Sequence, residues 1–384
     1  MKIISVVGAR PNFMKISPFC HAISVFNQKN PQNQIEHLLV HTGQHYNMRM
    51  SESFFQELNI PSPDINLEIG SGSHAEQVGH TMIAFEKVLI QYKPDWVVVV
   101  GDVNATLACS VTAKKLNINV CHIEAGLRSG DMTMPEEINR LVTDRISDLL
   151  LTPDLISSAN LKFEGTPESN ISFVGNIMID TLEDNREKAT VIKLQDIIKR
   201  NLANEYSYHG DIPADEQYMV MTLHRPSNVD NKEVFQSLIN FILNDVTCQN
   251  ILIWPIHPRT RKKLHDSGVW TPVKNNKNLI LLEPIGYHDM LRLNMGAKLM
   301  LTDSGGLQEE SCVLGTPCLT LRSNTERPVT LRENGGTCIL VGNDVEKIGK
   351  EYHESSIIKR KPSRPELWDG HTADRCVEAI ASYA

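Results

Sequence analysis

The sequence lacks the short motifs that mark several common classes of enzyme. No G-x-x-x-x-G-K-[ST] segment exists, which argues against a phosphate-loop protein, and no G-x-S-x-G exists, which argues against a serine hydrolase of that type. The turn after the first apolar run carries a single glycine, Gly8, instead of G-x-G-x-x-G. This removes the main argument for NAD or FAD, and we expect no cofactor.

Metal and disulfide patterns are missing as well. The eight cysteines lie scattered in apolar stretches without C-x-x-C spacing, so we expect reduced thiols in a cytoplasmic protein rather than disulfides or a zinc site. His41 and His45 are four residues apart, but Gly43 between them predicts a loop. We therefore expect no metal.

Long apolar runs and an excess of positive charge are also absent. No run approaches the ~20 residues that span a bilayer and the N-terminus does not resemble a signal peptide, so we expect a soluble protein without a membrane partner. The formal net charge of -8 argues against a nucleic-acid partner. The 384 residues, 41% of them hydrophobic, are enough for two globular domains.

The sequence does contain a regular alternation of short apolar runs and helical patterns. Runs such as Ile3 to Val7 and Trp96 to Val100 are typical of strands buried on both faces of a parallel sheet. The alternation predicts an α/β fold with two doubly wound, Rossmann-like domains that face a cleft.

The domain boundaries follow from a loss of periodicity. From about residue 184 to 216 the sequence is polar and has no clean period. We place the N-terminal domain at residues 1–178 and the C-terminal domain at residues 179–365. By analogy with two-domain nucleotide-sugar enzymes, a helix at 366–384 is expected to cross back onto the first domain.

Charged residues follow several predicted strands of the first domain, where parallel sheets bind ligands. Arg10 and Lys15 lie at the start of a helix, which favours a bound phosphate unless both are simply solvated cations. Asp102 follows one predicted strand, and Glu124 ends another. With Glu136 they are three acids suited to proton transfer on two faces of a substrate.

Arg140 allows two interpretations. It lies one helical turn after Glu136, so the two side chains can form an ordinary surface ion pair. Alternatively, Arg140 belongs to the site with the acids.

The second domain repeats the pattern of strand, small-residue turn and helix. Gly305 and Gly306 leave backbone N–H groups open to a diphosphate, and Ser304 can either cap the helix or donate to the same anion. Glu310 can accept hydrogen bonds from a ribose diol or serve the helix dipole. His224 follows the first strand of this domain and can bind phosphate or protonate a leaving oxygen.

These residues resemble those of the bacterial UDP-N-acetylglucosamine 2-epimerases, which have the two-domain glycosyltransferase-B architecture. The resemblance covers nearly the whole chain. The motifs that carry it are Gly8-Ala-Arg10-Pro11 with Lys15, His41-Thr-Gly43-Gln44-His45, Gly101-Asp102, His122-Ile-Glu124-Ala-Gly-Leu-Arg128, Pro135-Glu136-Glu137-Ile-Asn139-Arg140, His224-Arg225, Asp303-Ser-Gly-Gly-Leu-Gln-Glu-Glu310 and Thr325-Glu-Arg327-Pro328.

The resemblance implies inversion at C2 of UDP-GlcNAc to give UDP-ManNAc without a redox cofactor, by elimination of UDP to a 2-acetamidoglucal and re-addition. UDP-GlcNAc and UDP are the implied ligands, and family members are commonly homodimers. The implied diphosphate ligands are Arg10, His224, Ser304, Gly305, Gly306 and Arg327, and the implied ribose ligand is Glu310. The residues implied to surround the sugar are Lys15, Asp102, Glu124, Glu136 and Arg140.

The sequence departs from the family pattern at three places. Val103 replaces a common threonine, Asn12 replaces a common glutamate, and Pro226 with Ser227 replaces Arg-Glu after His224-Arg225. Some members bind a second UDP-GlcNAc as an activator in that last region. Gln44, His45 and His257 are available for such an allosteric site.

Other functions fit the same features. The chain can be a 2-epimerase of another UDP-2-acetamido sugar, or a hydrolysing epimerase that releases ManNAc. A UDP-sugar glycosyltransferase has the same architecture, although three clustered acids favour elimination. A non-catalytic nucleotide-sugar sensor would keep the phosphate ligands and lose the acids, which this chain retains.

Overall fold

A computed structural model describes residues 1–8, 10–43, 58, 60–204 and 206–383, except for the side chains of residues 10 and 11. The chain divides into two compact units. The first unit comprises Met1–Asp184 and Pro365–Ala384, and the second comprises Asn185–Arg364.

The first unit is built on a seven-stranded parallel sheet in the order β3-β2-β1-β4-β5-β6-β7. The strands are β1 (Lys2–Val7), β2 (Glu36–His41), β3 (Ile65–Asn66), β4 (Trp96–Val100), β5 (Asn119–Ile123), β6 (Leu149–Thr152) and β7 (Ile171–Phe173). The helices are α1 (Arg10–Lys29), α2 (His74–Tyr92), α3 (Asn104–Lys115), α4 (Pro135–Ile146) and α5 (Leu155–Phe163). A further helix, α6 (Ile177–Thr190), begins in the first unit and ends in the second. Every residue of β4 is buried, as its unbroken apolar sequence predicts.

The second unit is built on a six-stranded parallel sheet in the order β10-β9-β8-β11-β12-β13. The strands are β8 (Tyr218–Thr222), β9 (Ile251–Pro255), β10 (Leu279–Leu282), β11 (Leu299–Thr302), β12 (Cys318–Thr320) and β13 (Cys338–Leu340). The helices are α7 (Leu194–Asn201), α8 (Pro226–Val229), α9 (Lys232–Phe241), α10 (Thr247–Gln249), α11 (Pro258–Asp266), α12 (Trp270–Lys274), α13 (Tyr287–Gly296), α14 (Gly305–Leu314) and α15 (Val345–Ser355). A π-helical segment, Ile242–Val246, joins α9 to α10.

The last helix, α16 (Thr372–Ser382), belongs to the first unit and packs on α1. The Asp180 carboxylate accepts hydrogen bonds from the backbone N–H groups of Thr372 and Ala373 at 3.1 and 2.6 Å, which satisfies two donors at the start of α16. Trp368 Nε1 donates to Pro153 O at 2.9 Å. The predicted return of the C-terminal helix and the predicted pair of parallel α/β domains are confirmed.

One helix lies where the polar composition predicts no regular element. In α7 the side chains of Leu194, Ile197 and Ile198 are buried against the second sheet. Their spacing of three and four residues is the helical signal, which the surrounding charges hide.

None of the helices in the described part of the chain combines the length and the apolar character needed to cross a membrane. All eight cysteines are free, and only Cys248 is exposed.

Candidate functional site

The first sheet has its switch point at the carboxyl ends of β1 and β4. From β1 the sheet continues through β2 to β3 on one side, and from β4 it continues through β5 to β7 on the other. Parallel sheets bind ligands at this position because the loops there diverge. Asp102 follows β4, Glu124 follows β5, and Lys15 on α1 reaches the same strand ends.

Lys15 and Glu124 form a buried ion pair between Lys15 Nζ and Glu124 Oε2. The two residues are only 6% and 3% exposed, and the second carboxylate oxygen, Glu124 Oε1, is buried and has no hydrogen-bond partner among the described residues. The backbone of Glu124 is left-handed, with φ of 71°, a conformation that costs a residue with a side chain free energy. A buried carboxylate oxygen without a partner is suited to take up a proton, or to accept a hydrogen bond from a hydroxyl group of a ligand.

The backbone of Gly101, in the loop after β4, lies close to this ion pair. A Cβ atom built at Gly101 would lie 3.1 Å from Lys15 Nζ and 3.4 Å from Glu124 Oε2. Asn12 Nδ2 lies 3.5 Å from the same point and donates to Val100 O at 2.7 Å. Asn12, which departs from the family pattern, thus ties α1 to the end of β4.

We expect Gly101→Ala to lower both stability and turnover. The left-handed φ of 69° costs a residue with a Cβ about 1–2 kcal/mol, and the methyl group would also press on Lys15 Nζ. Gly165→Ala is the control, because Gly165 has φ of 85° and nothing within 4 Å of a built Cβ. The control should lose similar stability in urea unfolding and retain wild-type turnover. Equal turnover of both variants would contradict the assigned contact.

Arg140 is buried and does not form a surface pair. It is 2% exposed, and its Nη1 contacts Asp102 Oδ2. Its Nε donates to Glu137 Oε2 at 3.0 Å. The interpretation of Arg140 and Glu136 as a surface ion pair is therefore wrong, because the buried partner of Arg140 on α4 is Glu137, three residues before it.

Glu137 belongs to this site, although it is not among the predicted site residues and appears only within the Pro135–Arg140 motif. Burial raises the pKa of Glu137, but the backbone N–H groups of Ser129 and Gly130 and the Arg140 guanidinium outweigh burial and hold the pKa below its usual value. Glu137 thereby fixes the guanidinium that contacts Asp102.

Glu136 is half-buried at the start of α4 and makes no hydrogen bond or ion pair with any described residue. Asp102 keeps a quarter of its side chain exposed, and its carbonyl accepts from Asn139 Nδ2 at 2.8 Å. The structure thus connects Asp102 to α4, the helix that carries Glu136. Val103 is the N-cap residue of α3 and makes no side-chain capping bond.

A second buried network lies behind the acids. His122 Nε2 lies 2.8 Å from Gly101 O, and His122 Nδ1 lies 2.6 Å from Asp144 Oδ1. Asp144 Oδ2 accepts from Gly126 N at 3.0 Å and from Arg128 Nη1 at 2.6 Å. Burial raises the pKa of Asp144. His122 and Arg128, through their charges and hydrogen bonds, outweigh burial and hold this pKa below its usual value.

The second sheet has its switch point at the carboxyl ends of β8 and β11. Asp303, which follows β11, is fully buried, and its Oδ2 accepts from the backbone N–H groups of His224 and Arg225 at 2.9 and 2.8 Å. Its Oδ1 lies 2.7 Å from His224 Nδ1. Burial raises the pKa of Asp303, but the His224 ring and the backbone donors outweigh it. Asp303 therefore sets the position and orientation of His224.

The His224 side chain is 38% exposed, so its ring is accessible to a ligand. Its ring centroid lies 5.5 Å from that of His257. His257 Nδ1 accepts from Arg259 N at 3.2 Å and thereby caps α11. Of the predicted allosteric residues, only His257 can be placed, because Gln44 and His45 lie outside the described residues.

The start of α14 has the open backbone that the two glycines predict. The Ser304 side chain makes no capping hydrogen bond, so the capping interpretation is wrong and the hydroxyl is available to a ligand. A Cβ at Gly305 would lie 2.8 Å from Arg327 Nη1, so only glycine permits this approach. A helix N-terminus beside a guanidinium favours a bound anion.

Arg327 belongs to a buried chain of charges. Its Nε lies 2.7 Å from Glu309 Oε1, and its Nη1 contacts Glu326 Oε1. Glu326 also pairs with Arg322 at 2.7 Å. Two guanidinium groups and two carboxylates therefore balance one another, and Arg327 is fixed in place beside Gly305.

Glu310 is buried in α14 next to Glu309. Burial raises the pKa of Glu310 to about 7, although a hydrogen bond from the Tyr287 hydroxyl opposes the shift. Near neutral pH this side chain therefore exchanges between the acid and carboxylate forms.

The raised pKa of Glu310 should make the stability of the protein depend on pH. The pKa of about 7 in the folded protein lies above the ordinary value of 4.5, so the contribution of Glu310 to stability is complete below pH 4.5 and is lost as pH rises through 7. We expect the stability of wild type relative to Glu310→Gln to fall by about 3 kcal/mol between pH 5 and pH 8. Urea unfolding of both proteins at pH 5 and pH 8 measures this difference in stability, and Glu366→Gln, at an exposed position, is the control. A difference between wild type and Glu310→Gln that is the same at both pH values would contradict the prediction.

The side chain of Arg10 lies outside the described structure, so its predicted phosphate contact stays a prediction. No group of three or more histidine, cysteine, aspartate or glutamate residues in the described ranges can hold a metal ion.

The fold and the two switch points define a two-domain α/β protein, with buried acids in one unit and a helix start without a side-chain cap in the other. Residues 27–381 match the family model described as UDP-N-acetylglucosamine 2-epimerase. The chain belongs to this family, and it is an enzyme.

Named relatives support the assignment. The UDP-N-acetylglucosamine 2-epimerase of Methanocaldococcus jannaschii is 42% identical over 381 residues, 99% of each chain. Its crystal structure in complex with UDP-GlcNAc and UDP aligns over 100% of both chains with a TM-score of 0.87 and 41% identity. The UDP-2,3-diacetamido-2,3-dideoxy-D-glucuronate 2-epimerase of Pseudomonas aeruginosa is 37% identical over 329 residues, 85% of this chain and 84% of the relative. Because M. jannaschii is an archaeon, the family is not confined to bacteria, contrary to what the resemblance implied.

Proposed function

We propose that this enzyme interconverts UDP-GlcNAc and UDP-ManNAc by eliminating UDP and adding it back to a 2-acetamidoglucal, without hydrolysis. The observation that carries the proposal is the buried Lys15–Glu124 pair, in which one carboxylate oxygen has no partner among the described residues. The M. jannaschii relative, whose structure holds UDP-GlcNAc and UDP, supports the choice of substrate.

The first unit supplies the proton transfers in this proposal. Inversion at C2 requires removal of a proton from one face of the sugar carbon and delivery to the other, so more than one acid is needed. Asp102, Glu124 and Glu136 share these transfers, with individual roles unassigned. Buried Lys15 and Arg140 add positive charge that stabilises anionic oxygens as they develop.

The second unit holds the nucleotide in this proposal. His224, with its ring held by Asp303, and Arg327, held by Glu309 and Glu326, bind the diphosphate together with Ser304 and the backbone of the glycine turn, Gly305 and Gly306. We assign Arg10 to the same diphosphate and Glu310 to the ribose. These cations and N–H groups stabilise UDP as it leaves, which favours elimination.

The test is incubation of the pure enzyme with UDP-GlcNAc alone in deuterium oxide, followed by proton NMR of the sugar. We expect UDP-ManNAc with deuterium at C2 and an intact sugar-phosphate bond. Free ManNAc would show a hydrolysing epimerase, and an unchanged substrate in the absence of an acceptor would favour a glycosyltransferase.

A second candidate is a 2-epimerase of a different UDP-2-acetamido sugar, favoured by the P. aeruginosa relative that acts on a diacetamido uronate. Parallel incubations with UDP-GlcNAc and with that substrate discriminate by the ratio of kcat/KM. A ratio above about 10 for UDP-GlcNAc, or more than about 1.4 kcal/mol, would support our proposal.

We also propose a cytoplasmic homodimer with allosteric activation by a second UDP-GlcNAc at Gln44, His45 and His257. We expect a sigmoidal rate curve for UDP-GlcNAc and a lag in the reverse direction. His257→Ala should make the curve hyperbolic, because it removes a proposed ligand of the activator. The His257 ring centroid lies 5.5 Å from that of His224. A hyperbolic wild-type curve without a lag would rule out activation.

A further inference from the structure

We propose that His122 and Asp144 are positioning residues that hold the three acids in one fixed arrangement, an inference that rests on the proposed function. The acids come from three separate segments of the chain: the loop after β4, the end of β5 and the start of α4. A reaction on two faces of one carbon needs these segments fixed relative to one another.

The His122 ring connects two of these segments to its own strand. His122 lies on β5, two residues before Glu124, and is completely buried. Its Nε2 bonds to the carbonyl of Gly101, which precedes Asp102. Its Nδ1 bonds to Asp144 on α4, the helix that carries Glu136 and Arg140.

Both partners of the ring accept hydrogen bonds. A carbonyl oxygen can only accept, so Nε2 donates to Gly101 O, and the low pKa of Asp144 makes its carboxylate the acceptor for Nδ1. The bond to the Asp144 carboxylate is charge-assisted, and together with the bond to Gly101 O it fixes the plane of the ring in a buried position, where hydrogen bonds are stronger than in water.

Asp144 extends the connection to the residues that follow Glu124. Its second oxygen accepts from Gly126 N at 3.0 Å and from Arg128 Nη1 at 2.6 Å. Gly126 has φ of 82°, and a Cβ there would lie 2.3 Å from Ser157 O. The turn after Glu124 therefore packs against the backbone of Ser157 and is also held by its bond to Asp144. The left-handed backbone of Glu124 itself, with φ of 71°, is held between these two anchors.

The decisive variants are His122→Phe and Asp144→Leu. We expect each to lower kcat per folded molecule by about 10–100-fold, because a displacement of about 1 Å at the reacting groups costs up to about 10²-fold. KM should stay within about two-fold of wild type, since most of the residues assigned to the nucleotide belong to the other unit and, in the described structure, none of them contacts His122 or Asp144. The folded fraction is measured by circular dichroism.

Asp144→Asn tests the hydrogen bonds apart from the charge. The amide can accept from Gly126 N and donate to Nδ1 of a neutral His122, whose Nε2 still donates to Gly101 O. We therefore expect Asp144→Asn to restore kcat to within about three-fold of wild type. A variant as slow as Asp144→Leu would overturn the assignment.

Asp148→Leu is the matched control. Asp148 pairs with Lys114 and accepts from Val120 N at 2.8 Å, at the amino end of the same strand. Its loss should destabilise the protein and leave kcat per folded molecule unchanged.

Values of kcat for His122→Phe and Asp144→Leu within two-fold of wild type would overturn the proposal. If these variants do not fold, His122→Gln decides, because its amide can reach only one of the two acceptors; we expect about a ten-fold loss of kcat, and an unchanged kcat would overturn the proposal. Wild type without C2 exchange would instead overturn the proposed function, independently of these ratios.

Discussion

Glu124→Gln is expected to lower the rate of deuterium incorporation at C2 of the sugar by about 10³-fold, the scale of a lost general acid or base. Glutamine matches glutamate in shape and can still accept a hydrogen bond from Lys15, but it cannot take up a proton from carbon. The free oxygen of Glu124 is buried, so bulk water cannot readily replace it.

The matched control is Glu168→Gln, whose side chain is 80% exposed and pairs with Lys162 at the surface. It should exchange deuterium at the wild-type rate. A Glu124→Gln variant that is folded by circular dichroism and exchanges within ten-fold of wild type would remove Glu124 from the proton transfers.

Asp303→Asn is expected to produce the largest loss of UDP affinity in the second unit, about 10²-fold. Four donors converge on this fully buried carboxylate: the backbone N–H groups of His224 and Arg225, the His224 ring and Asn228 Nδ2. An amide places its own NH₂ against at least one of them. Because the variant also leaves donors buried without an acceptor, we expect a loss of about 3 kcal/mol of stability.

Titration calorimetry with UDP and urea unfolding measure the two effects. Asp230→Asn is the control, since its side chain is 56% exposed and lies 3.7 Å from Arg259. Asp303→Asn with wild-type UDP affinity would show that the orientation of His224 does not matter for nucleotide binding.

The sequence predicts the sheets well because the strands are apolar without alternation. The short edge strands β3, β7 and β13 have only two or three residues each and too little pattern to be predicted. The positions of Asp102, Glu124, His224 and Ser304 after strands follow from the same pattern, since a parallel sheet brings those ends to one edge.

The partners of these residues depend on tertiary packing and could not be predicted. Spacing alone favours a pair of Glu136 with Arg140 as readily as one of Glu137 with Arg140. The loop carrying Ser129 and Gly130 decides between them by donating to Glu137. Asp303 likewise stands in a recognisable motif, but only the fold shows that it binds the backbone of His224 across 79 residues of sequence.

Cleavage of the bond between C1 and the diphosphate is the central chemical claim, and it can be measured directly. UDP-GlcNAc with a heavy-oxygen label in that bond is incubated with the enzyme in deuterium oxide. Elimination and re-addition predict that the label spreads to the non-bridging oxygens of the phosphate while deuterium enters C2. Deuterium at C2 with the heavy oxygen still entirely in the bridging position would contradict the account.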